Sequence, residues 1–402
     1  MSLSANFVDL HLVGAGPPLG IMVSRAEWDR TPWNRWSFQH IREILPTTEV
    51  WRGDQPVREF DRNEKDFDAL IVKNIVGNAS ILQQVLEETF TNGFLVLHKG
   101  AVVYERYFGA MTPRTLHLSQ SVAKSIIGMT VGILISHGVL NPKKLVTDYL
   151  PELAATGWQG ATLQQILDMT TGVSFNEDYG DPHSDAGQLD VASGWKPVPL
   201  GIDPTLKWPA NVWEQILRLK KVSRTHGAQF EYRSIETDVL AFCLERVTGK
   251  RLAQIVSEEI WQKLGTEESA SFTVDPTGYA IADGGFNATL RDYARFGQMI
   301  LAGGDNIIPK VWIEKTRRGN HAMFAAPYTI VLPNGAYHNQ FWVEGPTSRN
   351  LMCRGIFGQL IYIDFAHQMV VVKLSSWPEF VSPKKMIATL GAVRTIAAAL
   401  TQ

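Results

Sequence analysis

The stretch Ser121-Val122-Ala123-Lys124-Ser125-Ile126-Ile127-Gly128-Met129-Thr130-Val131-Gly132-Ile133-Leu134-Ile135 decides the fold. After Lys124 it carries no charged side chain, so it reads as a helix buried on every side. The most apolar part, Ile126 to Leu140, is interrupted by Ser136 and His137 and is shorter than the roughly 20 residues of a membrane span. A helix places residues three apart on one face, so the Lys124 amine can reach the Ser121 hydroxyl. The first turn also offers unpaired N–H groups and the positive end of the helix dipole to a developing oxyanion. A serine hydroxyl needs a base, and lysine serves as one when desolvation or neighbouring positive charge keeps it neutral. The uncharged run behind Lys124 supplies an apolar setting. The spacing occurs again at Ser193/Lys196 and Ser382/Lys385. In those two, Gly194 and Pro197 or Pro383 interrupt the helix that would have to carry the pair.

On either side of this helix the pattern changes to strands. Phe94 to His98 and Ala101 to Tyr107 are β-rich runs joined through Lys99-Gly100, a hairpin signal. Near the other end, Tyr328 to Leu332 and Tyr337 to Val343 flank Pro333-Asn334-Gly335, and Gln359 to Asp364 faces Met369 to Leu374 across a short turn. About five or six antiparallel strands are expected, closed by a helix that starts after Pro383. Ile81, Leu82, Val85, Leu86 and Phe90 predict a helix ending at Gly93. Ile235 to Val247 forms an apolar helical stripe ending at Gly249, and Thr289 reads as the cap of a helix running to Leu301. The expected organisation is an irregular leader over residues 1–75, an α/β sheet domain from 76–119 and 319–402, and a mainly helical domain over 120–318. This is an α+β class, an antiparallel sheet flanked by helices with a large helical insertion.

Composition narrows the function. The 402 residues are 45% hydrophobic and 19% charged, as in an ordinary globular chain. The 38 basic and 40 acidic residues are spread evenly for a net charge of −2, which argues against nucleic acid or a membrane surface as partner. Met1 to Val23 lacks the basic start, apolar run and cleavage site of a secretory signal, which points to the cytoplasm. Cys243 and Cys353 read as buried free thiols. There is no Gly-x-Ser-x-Gly elbow, His-Glu-x-x-His zinc helix or phosphate loop, and the ten histidines are scattered. No metal or cofactor is expected.

Two further motifs can join the Ser121 helix. Tyr232-Arg233-Ser234 opens the stripe ending at Gly249, bringing a phenol and a hydroxyl to another helix start. A phenol beside an ammonium can relay a proton to a leaving group, and Ser234 is expected to hold Lys124 by a hydrogen bond. Cys353-Arg354-Gly355-Ile356-Phe357-Gly358-Gln359 begins a late strand whose glycines allow close backbone approach, so one of its N–H groups can face a reacting carbonyl.

In this order around a helical insertion, Ser121-x-x-Lys124, Tyr232-x-Ser234 and the Gly355 strand resemble the serine β-lactamase and penicillin-recognising superfamily. Within it the chain is similar to the nylon-oligomer-degrading amidases, the 6-aminohexanoate-dimer hydrolase family with its class C β-lactamase-like fold, and their carboxylesterase relatives. The similar stretches include Asn34-Arg35-Trp36, Asn176-Glu177-Asp178-Tyr179, Ser193-Gly194-Trp195, Gly284-Gly285 and Ser375-Ser376-Trp377-Pro378, spanning residues 34 to about 380. The resemblance implies Ser121 as nucleophile, Lys124 as base and Tyr232 as proton shuttle, with an oxyanion hole made by the N–H groups of Ser121 and Ile356. It implies that Tyr179 closes over the bound amide, that Trp195 packs on the substrate, and that Asp190 meets a substrate ammonium.

Two departures stand out. Cys353-Arg354-Gly355 replaces the Lys-Thr-Gly of β-lactamases, so the usual cationic partner of a β-lactam carboxylate is missing or replaced by Arg354, which moves the expected substrate away from β-lactams. Asp283, just before Gly284-Gly285, adds negative charge near the expected substrate site. The function expected is hydrolysis of short linear amides or esters through an acyl-enzyme. The alternatives are a non-catalytic sensor on the same scaffold, or a β-lactamase or peptidase.

Overall fold

The computed structural model describes residues 23–201 and 207–401. The first 22 residues of the leader, on which the signal-sequence reading rests, lie outside the described residues.

The two strand groups at the ends of the chain form one antiparallel sheet of seven strands. Its order is Ala101–Tyr107, Thr91–His98, Met369–Ser375, Gln359–Asp364, Leu351–Gly355, Phe341–Val343, Ala336–His338. Met369–Ser375 lies between partners on both sides, with Val371 opposite Val96 on one and Tyr362 on the other. It is buried along its whole length, as a run of Met, Val and Leu side chains demands. One helix covers a face of this sheet and another packs beside it. Pro383–Leu400 opens on a proline, whose missing N–H costs nothing at a first helical position, and packs near Leu82–Glu88. Leu290–Leu301 is capped by Thr289, whose Oγ1 accepts from the Asp292 N–H at 3.1 Å. It lies against the central strands so closely that a Cβ on Gly297 would sit 2.6 Å from Val370 Cγ1.

Helix Val122–Ser136 is buried from Val122 to Leu134. It lies between the sheet and helix Ile235–Thr248, which ends at Gly249 in the left-handed conformation, φ +67°. Two glycines allow that approach: a Cβ on Gly128 would be 2.3 Å from the Asn339 carbonyl, and one on Gly132 2.3 Å from the Trp312 ring. Cys243 and Cys353 are free and buried.

Several local expectations are corrected. Tyr328 to Leu332 is not a strand, because Tyr328–Ile330 forms a 3-10 turn between Pro327 and Pro333, neither of which can donate to a ladder. The hairpin lies further on, with Ala336–His338 turning through Asn339 and Gln340, at φ +49° and +68°, into Phe341–Val343. Two successive positive φ angles are what a two-residue hairpin turn requires. Leu82–Glu88 stops before Gly93, because the Thr89 hydroxyl bonds back to the Val85 carbonyl at 2.7 Å and Gly93 lies inside a strand.

The leader is less irregular, and the insertion less purely helical, than the patterns indicate. Thr47–Val50 joins a second sheet, in the order Thr47–Val50, Ala270–Thr273, Phe286–Ala288, His117–Leu118. Strands this short give almost no periodicity, so pairing partners hundreds of residues apart are invisible locally. No helix among the described residues is long and apolar enough to cross a membrane.

Candidate active site

Ser121 stands at the N-cap of the buried helix and is 8% exposed. Gln120 before it holds φ +50°, a left-handed conformation that bulky side chains rarely adopt and that turns the chain sharply into the helix. Lys124, 1% exposed, donates from Nζ to Ser121 Oγ at 2.9 Å and to the Asp283 carbonyl at 2.6 Å. Its Nζ is 3.8 Å from Asp283 Oδ2 and 5.2 Å from the centre of the Tyr232 ring. The Tyr232 hydroxyl engages both Ser121 and Lys124.

The electrostatics overturn one expectation. Burial alone would push Lys124 down and so keep it neutral, but Tyr232, Asp283 and Glu177 outweigh burial and hold its amine above the ordinary lysine value. Burial raises Tyr232 in spite of the pull of Lys124 and the Ser121 hydroxyl. The resting site therefore holds an ammonium beside a neutral phenol.

Ser234 does not hold Lys124. Its hydroxyl donates to Glu177 Oε1, and its N–H reaches Glu177 Oε2 at 2.9 Å. The same Oε1 accepts from the Tyr179 hydroxyl at 2.5 Å. Glu177 is thus a carboxylate hub that motif reading missed. Its only signal was its place two residues before Tyr179, and a lone acidic residue in a loop is ordinarily solvated. Burial raises Glu177 against the pull of Lys124 and of its donors, and burial with the Glu177 charge raises Tyr179 well above the ordinary tyrosine value.

The third motif arrives beside the serine because of one glycine. A Cβ on Gly355 would lie 2.5 Å from the Ser119 carbonyl, so only glycine lets strand Leu351–Gly355 approach the turn carrying the nucleophile. Ile356 follows as the first residue of a helical turn, and Ser121 is a helix N-cap. N–H groups at both positions have no partner inside their helices and are available to an oxyanion. Cys353 is locked into the ladder opposite Ile361. Arg354 stands over the Trp342 ring at 4.7 Å with no partner for its Nε among the described residues, and burial pushes it down to about 10.

Two cavities meet at Ser121, Tyr179, Ile356 and Phe380. One is a narrow pocket of about 40 Å³ lined by Asp29, Asp190, Trp195 and Asp283. The other is a cleft of about 590 Å³ lined by Tyr232, Tyr328, Trp342, Arg354 and Trp377. Asp190 faces the narrow pocket but already has a partner: Lys196 Nζ lies 3.4 Å from its Oδ2 and 2.8 Å from Asp29 Oδ2. Burial, opposed by Lys196 and aided by Asp29, pushes Asp190 up to about 7. Trp195 spends its indole N–H on Thr273 Oγ1 at 2.9 Å and packs edge-on against Trp28, presenting only carbon to the pocket. Asp283 lines this pocket while lying next to Lys124.

A buried Ser-x-x-Lys helix start, a tyrosine from a second helix start and a glycine strand define a class of acyl-transferring proteins. The chain belongs to the Beta-lactamase family, whose model matches residues 79–393. It is 38% identical over 360 residues, 88% of either chain, to the 6-aminohexanoate-dimer hydrolase of Paenarthrobacter ureafaciens. Esterase EstB of Burkholderia gladioli is 26% identical over 218 residues, 50% of this chain and 53% of the esterase. Among solved structures, a Bacillus anthracis protein provisionally assigned as a 6-aminohexanoate-dimer hydrolase superposes with a TM-score of 0.86 at 30% identity, covering 94% of this chain and 97% of its own.

Proposed function

We propose that this chain is a serine hydrolase that cleaves short linear amides and carboxylic esters through an acyl-enzyme on Ser121. The observation that carries the reading is the 2.9 Å hydrogen bond from Lys124 Nζ to Ser121 Oγ at the start of a buried helix, with the Tyr232 hydroxyl against both. The relatedness to an amidase and an esterase supports the substrate class.

The chemistry runs in two halves. Ser121 Oγ attacks the substrate carbonyl carbon while its proton passes to the Lys124–Tyr232 pair, which must first have lost one proton from its resting state. The carbonyl oxygen becomes an oxyanion facing the Ser121 and Ile356 N–H groups. The tetrahedral adduct collapses, the pair returns the proton to the departing nitrogen or oxygen, and an ester on Ser121 remains. Water then attacks that ester, giving its proton to the same pair, and the acid leaves as Ser121 recovers its hydrogen.

Glu177 gives Tyr179 its place in the site. By fixing both the Tyr179 and Ser234 hydroxyls, it holds the phenol at the junction of the two cavities, where a scissile amide nitrogen must pass. An amine leaves only if protonated on departure, whereas a phenolate leaves unaided, so Tyr179 bears on amides more than on activated esters. Asp190, Trp195 and Asp283 line the narrow pocket as the contacts for one end of the substrate. Cys353, buried in the ladder, offers no cation for a β-lactam carboxylate.

The test is turnover of p-nitrophenyl butyrate by Ser121→Ala. Activity should fall by at least about 10⁴-fold, as for loss of a covalent nucleophile. Retention of full activity would overturn the reading.

A further inference from the structure

We propose that Asp283 is the charge-setting partner of Lys124: it holds the amine in place as an ammonium in the free protein and governs the pH at which Ser121 can give up its proton. This rests on the reading of Lys124 as part of the base.

The geometry ties the two residues together twice. Lys124 Nζ donates to the Asp283 main-chain carbonyl at 2.6 Å and faces its carboxylate at 3.8 Å. The other groups against the amine are the Ser121 oxygen at 2.9 Å and the Tyr232 hydroxyl. An amine ringed by acceptors keeps its proton.

The loop bearing Asp283 is pinned by Asp238, in the first turn of helix Ile235–Thr248. Asp238 Oδ1 accepts the Ala282 N–H at 3.1 Å and the Tyr279 hydroxyl at 3.2 Å, while its Oδ2 is buried and has no hydrogen-bond partner among the described residues. On the far side Gly285 is wedged, because a Cβ there would meet Thr273 Oγ1 at 2.4 Å and the Ile281 carbonyl at 2.8 Å. Ala282, Asp283 and the carbonyl that holds Lys124 are thus tied to the elements on both sides.

Of the two carboxyls at this loop, its approach to Lys124 makes Asp283 the ionised member. The groups facing Lys124 are Tyr232 ahead of helix Ile235–Thr248, Asp238 within it, Glu177 from the 176–184 loop and Asp283. Among the described residues Lys124 is the one cation acting on both Asp238 and Asp283. Glu177 is answered by donors of its own, the Ser234 N–H and the Ser234 and Tyr179 hydroxyls, which leaves Asp238 and Asp283 to compete for the Lys124 charge, and two adjacent carboxyls cannot both ionise against one ammonium in a buried site. Asp238, whose buried Oδ2 has neither a donor nor a cation against it among the described residues, keeps its proton, in line with its rise through burial and the neighbouring Asp283. Asp283, whose carboxylate faces the Lys124 amine at 3.8 Å, carries the charge. Removing that charge lowers the affinity of the Lys124–Tyr232 pair for its proton, so less alkaline conditions suffice to free a base for Ser121.

The experiment is the pre-steady-state burst of p-nitrophenol from p-nitrophenyl acetate between pH 6 and 10, for wild type, Asp283→Asn, Asp238→Asn and Ser121→Ala. In wild type the burst rate climbs with pH. An opposite charge at this range moves a pKa by about 1–3 units. The midpoint of the Asp283→Asn climb should thus fall by about one unit or more, whereas Asp238→Asn, which leaves the Asp283 charge, keeps the wild-type midpoint. If Asp283→Asn does not fold, Asp283→Ser, smaller at every atom, makes the same prediction. A midpoint unmoved in these Asp283 variants, with the burst still dependent on Ser121, overturns the inference and leaves the proposed function standing. A burst that survives in Ser121→Ala overturns the proposed function instead.

Discussion

Two lysines are buried among the described residues, and they behave in opposite ways. Lys124 is 1% exposed and Lys373, on the central strand Met369–Ser375, is fully buried. Lys124 faces Tyr232, Asp283 and Glu177 and is held above the ordinary lysine value. Lys373 donates to the Thr89 carbonyl at 3.0 Å and to the Ser375 hydroxyl, and the charges near it, Arg35 and Lys385, are positive. Burial, with those cations adding to it, takes Lys373 well below the usual range. Both amines are buried, so the neighbours decide the sign. An acidic setting makes a buried lysine a charged participant, whereas a neutral and basic one makes it a cost to the fold.

Exchanging either lysine for methionine gives the sharpest test of that contrast. Lys124→Met should lower kcat for p-nitrophenyl butyrate by about 10²–10⁴-fold, as for loss of a positioned acid–base group, while Lys373→Met should keep turnover within a few-fold. Equal losses would mean that Lys373 also serves the site. Next in size comes the amide–ester split at Tyr179. Tyr179→Phe should lower kcat/KM for a linear amide such as 6-aminohexanoate dimer about tenfold more than for p-nitrophenyl butyrate. Parallel losses would reduce Tyr179 to a packing residue.

The smallest effect lies in stability. Folding withdraws protons from Lys373, so its cost is fully present below its lowered folded value and disappears as pH rises past the unfolded lysine value near 10.4. Lys373→Met should therefore stabilise the protein by about 1–3 kcal/mol at pH 6, with the gain shrinking towards pH 10. The substitution orphans no carbonyl, because Thr89 still accepts the Trp377 indole N–H at 2.9 Å. Urea midpoints at the two pH values check this, and a gain independent of pH would contradict the assignment of Lys373 as the titrating cost.

Where periodicity was strong, the sequence was legible. The apolar run after Ser121, the stripe ending at Gly249 and the Thr289 cap lie where the residue pattern puts them. Where an element was short or its partner distant, it was not. Thr47–Val50 pairs with Ala270–Thr273 across more than 200 intervening positions, and nothing in four residues reveals that. In the same way, the Tyr328 segment looked like a strand by composition until the prolines at both ends took away its ladder donors.

The sequence by itself determined that Ser121 and Lys124 share one helical face, because three residues is a local distance that the helix sets. It also determined that a glycine precedes Ile356, without which the late strand could not reach the serine turn. The tertiary structure alone decided the charge of the site. Glu177, Asp238 and Asp283 come from loops and helices far apart in the chain, and electrostatic energy depends on distance through a poorly screened interior, not on spacing along the backbone. A reader of the chain sees an uncharged helix around Lys124, whereas the folded protein surrounds that lysine with acids.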